Sequence, residues 1–217
     1  MSELKGACIF GQSGGPTSVI NASAYGVIAT ALKNPNITRV LGAEHGIKGV
    51  LNDRLFDMGQ EDPAELELLK YTPSSALGSC RYKMADPDVD DTDYKRILEI
   101  FKKYDVRYFF YNGGNDSMDT CNKISKYMQK VGYDCRVMGV PKTIDNDLFG
   151  TDHCPGFASA AKYIATPAWR SIRTPASMTP AWSASWRSWA VTPAGWLALL
   201  LWLPLTAQVP TWCTSPR

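Results

Sequence analysis

Val106-Arg-Tyr-Phe-Phe-Tyr-Asn-Gly-Gly-Asn-Asp-Ser-Met-Asp119 is the segment that decides the fold class of this chain. It begins with a largely apolar run to Tyr111, which is typical of a central parallel strand covered on both faces. A glycine loop follows, and a helical pattern then continues to about Val131. The segment therefore predicts a strand, a loop and a helix in that order.

The same order of strand, glycine loop and helix occurs near the amino terminus. Ala7–Phe10 is a short apolar run that leads into Gly11-Gln-Ser-Gly-Gly-Pro-Thr-Ser18. Apolar residues then recur at helical spacing, at Val19, Ile20, Ala24, Val27, Ile28 and Ala31. A third apolar run, Cys135–Val140, precedes the acidic segment Pro141-Lys-Thr-Ile-Asp-Asn-Asp-Leu-Phe-Gly-Thr-Asp152.

Further elements are predicted between these segments. They are a strand at Ile37–Gly42, a glycine-punctuated loop at Glu44–Asp53, a helix at Pro63–Lys70 capped by Asp62, and a helix to Tyr104 capped by Asp91 or Thr92. Strands that alternate with helices in this way predict an α/β fold with a mostly parallel sheet.

Parallel strands end at the same edge of a sheet, which is where open α/β sheets bind ligands. The loops at residues 11–18, 112–119 and 141–152 would therefore converge there. Taken singly, a glycine loop can be a tight turn and an acidic loop a solvated turn. Three such loops at one edge favour a binding site.

The residues in these loops suit phosphate groups and a hard cation. Gly14 and Gly15 let backbone N–H groups approach an anion, with a helix start behind them. Arg81, on a glycine-serine loop, adds positive charge for a phosphorylated ligand. Clustered Asp and Asn oxygens suit a magnesium ion, Mg²⁺. Together these features predict phosphoryl transfer.

The acidic segment would supply the chemistry of that transfer. Asp145 or Asp147 would take the proton from an attacking hydroxyl, and Lys142 would act as an electrostatic clamp. We assign no catalytic role to His45, because a lone loop histidine is more often a surface residue than a ligand.

The composition excludes several classes of protein. The formal net charge is only +2, which argues against a nucleic acid or a membrane surface as partner. The six cysteines have no paired spacing, so we expect neither a disulfide framework nor a zinc site. The amino terminus lacks the pattern of a signal peptide. We therefore expect a cytoplasmic protein that binds no nucleic acid and no membrane.

Four blocks of the sequence resemble the phosphofructokinase family in order and spacing. They are Ser13-Gly-Gly through Asn21-Ala22, Gly78-Ser-Cys-Arg81, Gly113-Gly-Asn-Asp-Ser117, and Pro141-Lys-Thr-Ile-Asp-Asn-Asp147 with Gly150-Thr-Asp152 and Pro155-Gly-Phe157. The resemblance covers residues 6–165. It implies a three-layer, Rossmann-like phosphofructokinase fold and transfer of a phosphoryl group to the 1-hydroxyl of fructose 6-phosphate.

The resemblance also implies roles for single residues. Asp145 would be the general base, Thr143 a contact to the substrate phosphate, and Asp147 a neighbour of both. The donor's phosphates would be held by Gly14, Gly15, Arg81, Gly114, Asp116 and Ser117. Full-length relatives would be homo-oligomers.

Two positions bear on the phosphoryl donor. ATP-dependent members of the family have glycine where this chain has Asp116 and Lys142, and this pair resembles the pyrophosphate-dependent members. A carboxylate at 116 would repel a nucleotide's α-phosphate, while a lysine offers a compact charge to pyrophosphate. The family's usual metal-binding aspartate is Asn115 here, so Mg²⁺ would depend on Asn115, Asp116 and the donor. The alternatives are ATP as donor and a non-catalytic phosphate-binding module.

The composition changes abruptly after Ala165. All 21 acidic residues precede residue 153, whereas all seven tryptophans follow residue 166. A linker is one explanation, but the apolar run Trp196–Leu205 is too short for a membrane anchor. Back-translation from Ala168 into the neighbouring reading frame restores acidic residues and resembles the family's next segment.

We therefore interpret residues 1–165 as a truncated N-terminal donor-binding region and residues 166–217 as a frameshifted tail. The fold would be incomplete in this chain, with an exposed sheet edge. We expect little or no kinase activity from these 217 residues.

Overall fold

The computed structural model describes residues 4–17, 19–143, 149–150, 154 and 156–173, with side chains described as far as residue 166. The chain divides into two units, Met1–Thr143 and Ile144–Arg217. The described helix of the second unit is α6, Phe157–Arg173.

The first unit is built on a five-stranded sheet. Its strands are β1 (Gly6–Gln12), β2 (Ile37–Ala43), β3 (Leu55–Asp57), β4 (Val106–Gly113) and β5 (Arg136–Pro141). Their order in the sheet is β3-β2-β1-β4-β5, and only the β2–β3 pair is antiparallel. The predicted α/β fold with a mostly parallel sheet is therefore confirmed.

Helices connect these strands. They are α1 (Ile20–Lys33), α2 (Ile47–Leu51), α3 (Pro63–Leu68), α4 (Thr92–Tyr104) and α5 (Asn115–Lys130), with a 3₁₀ turn at Met58–Gln60. The Ala64 N–H donates to Asp62 Oδ1 over 2.8 Å, as predicted for the cap of α3. Asp91 is the N-cap residue of α4, as predicted, but its side chain makes no capping hydrogen bond, and the Thr92 N–H donates to Asp90 Oδ1 over 3.0 Å.

Two apolar clusters make the sheet the middle of three layers. Successive residues of a strand point to opposite faces, so Ile9 packs towards α4 and α5 while Cys8 and Phe10 pack towards α1 and α3. These side chains are fully buried. Burial of a side chain such as Phe10 contributes about 1.5–3 kcal/mol. The central strand β1 is therefore held from both sides.

Two predicted loops contain secondary structure. Within Glu44–Asp53, Ile47 and Val50 are fully buried on α2, and this packing stabilises a helix too short to show a sequence period. In the 112–119 segment the loop is only Gly114, because α5 already begins at Asn115. In the described part of the chain, no helix has the length and apolar character needed to cross a membrane.

Candidate functional site

The carboxyl ends of three parallel strands meet at one edge of the sheet. The register pairs Gln12 of β1 with Asn112 of β4, and Gly113 of β4 with Pro141 of β5. Just beyond β5, the Lys142 N–H donates to the Gly113 carbonyl over 2.9 Å. The predicted convergence of the three loops is therefore confirmed as far as residue 143.

The loop after β1 is wide and carries the first pair of glycines. Gly14 has a φ of +78°, a left-handed conformation that favours glycine. Thr17 Oγ1 accepts from the N–H groups of Val19 (3.3 Å) and Ile20 (3.1 Å). Two N–H groups at the start of α1, which begins at Ile20, are therefore bonded within the chain.

The turn from β4 to α5 is a single residue, Gly114. A Cβ on the preceding Gly113 would lie 2.1 Å from Ser117 Oγ and 3.3 Å from Ser13 Cβ, so only glycine fits there. Gly114 is the N-cap residue, and as a glycine it has no side chain with which to cap the helix. The first N–H groups of a helix attract anions. This turn therefore brings the N-terminus of α5 directly to the edge of the sheet.

Three predicted site residues occupy the first turn of α5. Asn115 and Asp116 are exposed, whereas Ser117 is 4% exposed and packs under Gly113. A carboxylate in the first turn of a helix is stabilised by the helix dipole. The structure therefore places Asn115 and Asp116 on the surface of the edge and Ser117 in its wall.

Lys142 connects the end of β5 to the first glycine loop. Its ammonium donates to the Gly15 carbonyl. A Cβ on Gly14 would lie 3.3 Å from Lys142 Nζ. The lysine side chain is partly buried. A positive charge is therefore held against the backbone of the two glycines.

Of the remaining predicted residues of the acidic segment, the structure describes only Thr143. Thr143 follows Lys142 directly and is partly buried. Asp145 and Asp147 lie outside the described residues, so their roles remain predictions.

Arg81 is placed by the segment that precedes it. The Gly14 N–H and Ser13 Oγ both donate to the Cys80 carbonyl, over 3.4 and 3.3 Å. Ser79 Oγ donates to the Gly14 carbonyl. These bonds hold the backbone of Arg81 next to the first glycine loop, and its side chain is exposed.

His45, to which the sequence assigned no catalytic role, contacts residues 77 and 78. Its N–H donates to the Leu77 carbonyl over 2.8 Å, and a Cβ on Gly78 would lie 2.3 Å from its Nδ1. A cavity of about 260 Å³ opens beside it, with Glu44, Lys48, Arg54 and Ser79 among the lining residues.

Tyr111 near the end of β4 was predicted only as part of an apolar strand. Its hydroxyl accepts from the Ile47 N–H over 3.3 Å and hydrogen-bonds to Ser13. Burial raises the pKa of Tyr111 to about 12, although both hydrogen bonds act in the opposite direction. No sequence pattern shows that the hydroxyl of a core tyrosine reaches a loop.

Gln12 and Asn21 are two further residues to which the sequence assigned no role. Both are completely buried, and Gln12 Nε2 donates to Asn21 Oδ1 over 3.0 Å. The sequence carried only a weak signal for them. Gln12 is a polar residue at the end of an apolar strand, and Asn21 is a polar residue directly after the first apolar residue of α1.

Three thiols near the sheet are unsuited to nucleophilic chemistry. Burial raises the pKa of Cys8, Cys121 and Cys135 to about 12 in each case. These thiols therefore stay protonated at neutral pH, and the thiolate is the nucleophile.

No cluster of three or more His, Cys, Asp or Glu side chains is arranged for a metal among the described residues. Asn115 and Asp116 still fit a magnesium ion in one respect. Both offer exposed oxygen atoms, and Mg²⁺ is commonly bound by one or two carboxylates together with substrate phosphates.

The fold and this edge define a class: an α/β protein with two glycine turns and a lysine at the carboxyl edge of a mostly parallel sheet. A sequence model described as phosphofructokinase matches residues 8–182. The chain therefore belongs to the phosphofructokinase family. The match extends past Ala165 and ends in the tryptophan-rich part of the chain.

Individual relatives agree with this assignment. The chain is 50% identical over 158 residues to the pyrophosphate–fructose 6-phosphate 1-phosphotransferase of Halomonas elongata, which covers 72% of this chain and 38% of that protein. It is 50% identical over 157 residues to the enzyme of the same name from Methylococcus capsulatus, covering 72% of this chain and 37% of that protein. The chain thus spans somewhat over a third of the length of these relatives.

A solved structure confirms the predicted phosphofructokinase fold. The pyrophosphate-dependent phosphofructokinase from Nitrosospira multiformis is similar with a TM-score of 0.70 and 49% identity, over 76% of this chain and 40% of that one. The predicted resemblance to the pyrophosphate-dependent members of the family is also confirmed.

Proposed function

We propose that this chain provides the donor-binding part of an enzyme that transfers a phosphoryl group from pyrophosphate to the 1-hydroxyl of fructose 6-phosphate. The product is fructose 1,6-bisphosphate, and the reaction is a step of glycolysis. The observation that carries the proposal is the position of the Lys142 ammonium against Gly14 and Gly15. The names of the relatives that are 50% identical support the same donor and acceptor.

The proposed donor site combines one charge with backbone dipoles. A lysine ammonium is a compact, strongly hydrated charge that suits a small polyanion. Gly14 and Gly15 leave backbone accessible next to it, and a Cβ on Gly15 would contact nothing within 4 Å. The N-terminus of α5 adds a second positive end at the same edge. Pyrophosphate carries enough negative charge to use both.

Asp116 supports pyrophosphate rather than ATP as the donor. It is exposed in the first turn of α5, beside the proposed anion site. A fixed carboxylate there would repel the additional phosphate of a nucleotide, and specificity often comes from such a repulsive element. Arg81 would neutralise charge from the other side of the first glycine loop.

The proposed transfer needs one proton acceptor and little covalent chemistry. Asp145 would take the proton of the sugar's 1-hydroxyl, that oxygen would bond to the nearer phosphorus, and orthophosphate would leave. Thr143 would contact the sugar phosphate, and Asp147 would lie beside the base. Asn115 and Asp116 would hold Mg²⁺, which would neutralise charge on the donor when bound.

Calorimetric titration of the 217-residue chain with magnesium pyrophosphate tests the proposed donor site. We expect Lys142→Met to weaken binding about tenfold or more, since charge-assisted hydrogen bonds are worth about 1.5–3 kcal/mol. Lys126→Met is the matched control, because Lys126 is an exposed lysine of α5. It changes the net charge equally and should leave affinity within about twofold.

Several results would contradict this proposal. ATP that binds the unsubstituted chain as tightly as pyrophosphate would overturn the choice of donor. Equal affinities of the Lys142→Met and Lys126→Met variants would remove Lys142 from the site. Binding without any turnover in an otherwise complete enzyme that carries this region would favour a non-catalytic phosphate-binding module.

The role of Asp116 has its own test. Asp116→Asn keeps the shape and removes the charge, so the ratio of pyrophosphate to ATP affinity should fall about fivefold. Glu65→Gln is the control, because Glu65 is an exposed acidic residue in the first turn of α3. It removes the same charge from the first turn of another helix, away from the site. A similar fall in the ratio of pyrophosphate to ATP affinity would argue against a specific role for Asp116.

We also propose that the chain is read out of frame from about residue 166, with residues 1–165 forming the donor-binding region. The support is compositional: acidic residues stop before residue 153 and tryptophans follow residue 166. The family match extends to residue 182, which would place the boundary later. Sequencing the gene across codons 160–170 and comparing it with close relatives would reveal an insertion or deletion, and an uninterrupted frame would refute the proposal.

A cytoplasmic setting without nucleic-acid or membrane partners is part of the same proposal. The near-neutral charge of the chain supports the absence of nucleic-acid and membrane partners. Full-length relatives are proposed to be homo-oligomers. Co-sedimentation of the chain with anionic lipid vesicles would contradict the absence of a membrane partner.

A further inference from the structure

The long segment between α3 and α4 has no helix or strand of its own. It runs from Leu69 to Asp91 and carries Arg81. Irregular segments of this length are uncommon inside compact domains and are usually functional. A backbone without regular structure must find its hydrogen bonds elsewhere. The partners of this segment therefore show what holds Arg81 in place.

Gln12, the last residue of β1, provides one set of partners. Its Oε1 accepts from Ser75 Oγ over 2.8 Å and from the Leu77 N–H over 3.0 Å. Its Nε2 donates to Asn21 Oδ1 over 3.0 Å. The side chain is completely buried, and both ends of the amide are bonded. Gln12 therefore fastens the segment to the strand that leads into the first glycine loop.

Asn21, in the first turn of α1, provides the second set. Its Oδ1 accepts from the Ala76 N–H over 2.8 Å as well as from Gln12. Its Nδ2 donates to the Thr72 carbonyl over 3.0 Å. This side chain too is completely buried. The two amides thus form one network that bonds to the segment at three consecutive residues, 75–77, and at residue 72.

The network lies on both sides of the first glycine loop. Gln12 precedes that loop and Asn21 follows it, while the same segment continues to Cys80, whose carbonyl accepts from the Gly14 N–H. A buried polar network of this kind is favourable only when every member is paired. Any shift of the segment against the loop would leave buried amide groups without partners.

We propose that Gln12 and Asn21 are positioning residues for the donor site, which hold the segment of Arg81 in register with Gly14 and Gly15. They touch no substrate and act through the two loops they connect. The inference rests on the proposed function, because it is the donor's phosphates that Arg81 and the glycines would share.

Hydrogen exchange of single amides, measured by NMR on the full chain, tests the positioning. The informative probe is the Gly14 N–H, whose acceptor on Cys80 is unchanged by Gln12→Met or Asn21→Leu. We expect each variant to speed exchange at Gly14 about tenfold, because the segment detaches locally. Asn112→Leu is the matched control: it removes another fully buried amide at the same edge, one whose Nδ2 bonds to the Val140 carbonyl.

Pyrophosphate affinity is the second readout. Each variant should bind about tenfold more weakly, and the double variant should be little worse than either single one, because members of one network are not additive. Ile28→Val, a core change on α1, lowers stability without touching the network and should leave affinity unchanged. If the apolar variants do not fold, Ser75→Ala removes one bond of the network and should give a smaller change in the same direction.

The outcomes separate the two proposals. Unchanged exchange at Gly14 in folded variants would overturn the positioning role, and so would fully additive losses of affinity. Faster exchange at Gly14 in the variants, together with no pyrophosphate binding by the unsubstituted chain, would overturn the proposed function. The same result would still support the inference that the network positions the segment.

Discussion

Two strand-to-helix connections in this molecule, the crossings from β1 to α1 and from β4 to α5, have the same order of strand, glycine and helix but different geometry. Between β1 and α1 lie residues 13–19, whereas between β4 and α5 lies only Gly114. In the first crossing, Thr17 Oγ1 accepts from two N–H groups at the helix start. In the second, the N-cap residue is Gly114, which has no side chain to accept from the helix start. Similar sequence patterns therefore produce two different surfaces at the edge of the sheet.

The difference assigns each crossing its own physical contribution. The wide loop after β1 presents backbone and receives the Lys142 ammonium at Gly15. The tight turn after β4 contributes the dipole of α5 instead, because the helix begins at the sheet edge. A site that combines the charge of the Lys142 side chain with the dipole of α5 depends on both crossings. Substitutions in the two turns should therefore have different effects.

The largest expected effect comes from the tight turn. Gly113→Ala would place Cβ 2.1 Å from Ser117 Oγ and 2.5 Å from Ser117 Cβ. Because Ser117 is buried in the first turn of α5, strand and helix would have to separate. We expect a loss of about 3 kcal/mol in the free energy of unfolding, at the upper end of overpacking costs. Urea denaturation followed by circular dichroism measures it.

The matched change in the wide loop is Gly15→Ala. A Cβ there meets nothing within 4 Å. The free energy of unfolding should therefore change by no more than about 0.5 kcal/mol. Equal losses for the two alanine variants would show that the crossings are equally tight and would remove the basis of the comparison.

The next effect concerns the side chain that links the two crossings. Tyr111, on β4, accepts from the buried Ile47 N–H and hydrogen-bonds to Ser13 in the wide loop. Tyr111→Phe would leave the buried Ile47 N–H without its acceptor and should cost about 2 kcal/mol, because an unsatisfied buried donor loses its full solvation. Thermal or urea unfolding at pH 7 gives the value.

The pH dependence of this variant provides an independent check. The folded-state pKa of Tyr111 is raised to about 12 from an ordinary value of 10.0, mainly by burial. Its contribution to stability is therefore present below pH 10 and is lost as the pH rises towards 12. Above pH 10, Tyr111→Phe should lose stability less steeply, by about 1.4 kcal/mol per pH unit. Parallel curves would contradict the burial of the phenol.

The sequence predicted the strands and helices on either side of the two crossings better than it predicted the lengths of the turns between them. Apolar runs and helical periods identified β1, β4, β5, α1 and α5, because each buries a face large enough to leave a pattern. The length of each turn left no such pattern. That Gly114 alone joins β4 to α5 follows from the contact between Gly113 and Ser117, which exists only after the chain has folded.

The candidate site shows the same limit. Glycines, Lys142 and Asp116 could be selected from residue chemistry, and the parallel sheet brought their loops to one edge. Gln12 and Asn21 could not, because their importance lies in bonds to residues 72–77, far away in the chain. The short α2 and β3 were missed for a related reason, since tertiary packing rather than local preference stabilises them.

A smaller effect should follow from removing the cap in the wide loop. Thr17→Val keeps the shape of the side chain but leaves the Val19 and Ile20 N–H groups without their acceptor. We expect a loss of about 1 kcal/mol, the usual cost of removing a helix cap. Thr38→Val is the control, since Thr38 is exposed on β2 and should tolerate the change. A loss as large in the control would remove the capping role of Thr17.

The smallest effect on stability would come from giving the tight turn the cap that the wide loop already has. Gly114 has ordinary backbone angles, with φ of −84°, and a Cβ there would contact the Lys142 carbonyl at an unstrained 3.6 Å. Serine fits this position and can accept from the first turn of α5. Gly114→Ser should therefore stabilise the chain by about 0.3 kcal/mol, since serine exceeds glycine as an N-cap by a few tenths.

The same substitution should act in the opposite direction on the ligand. A serine hydroxyl that accepts from the first N–H groups of α5 competes with an anion for them. We expect magnesium pyrophosphate to bind about threefold more weakly to Gly114→Ser, even though the protein is slightly more stable. Calorimetric titration and thermal unfolding of one preparation measure both quantities. Binding that is unchanged or tighter would mean that the N-terminus of α5 does not face the donor, leaving the wide loop and Lys142 as the whole of the anion site.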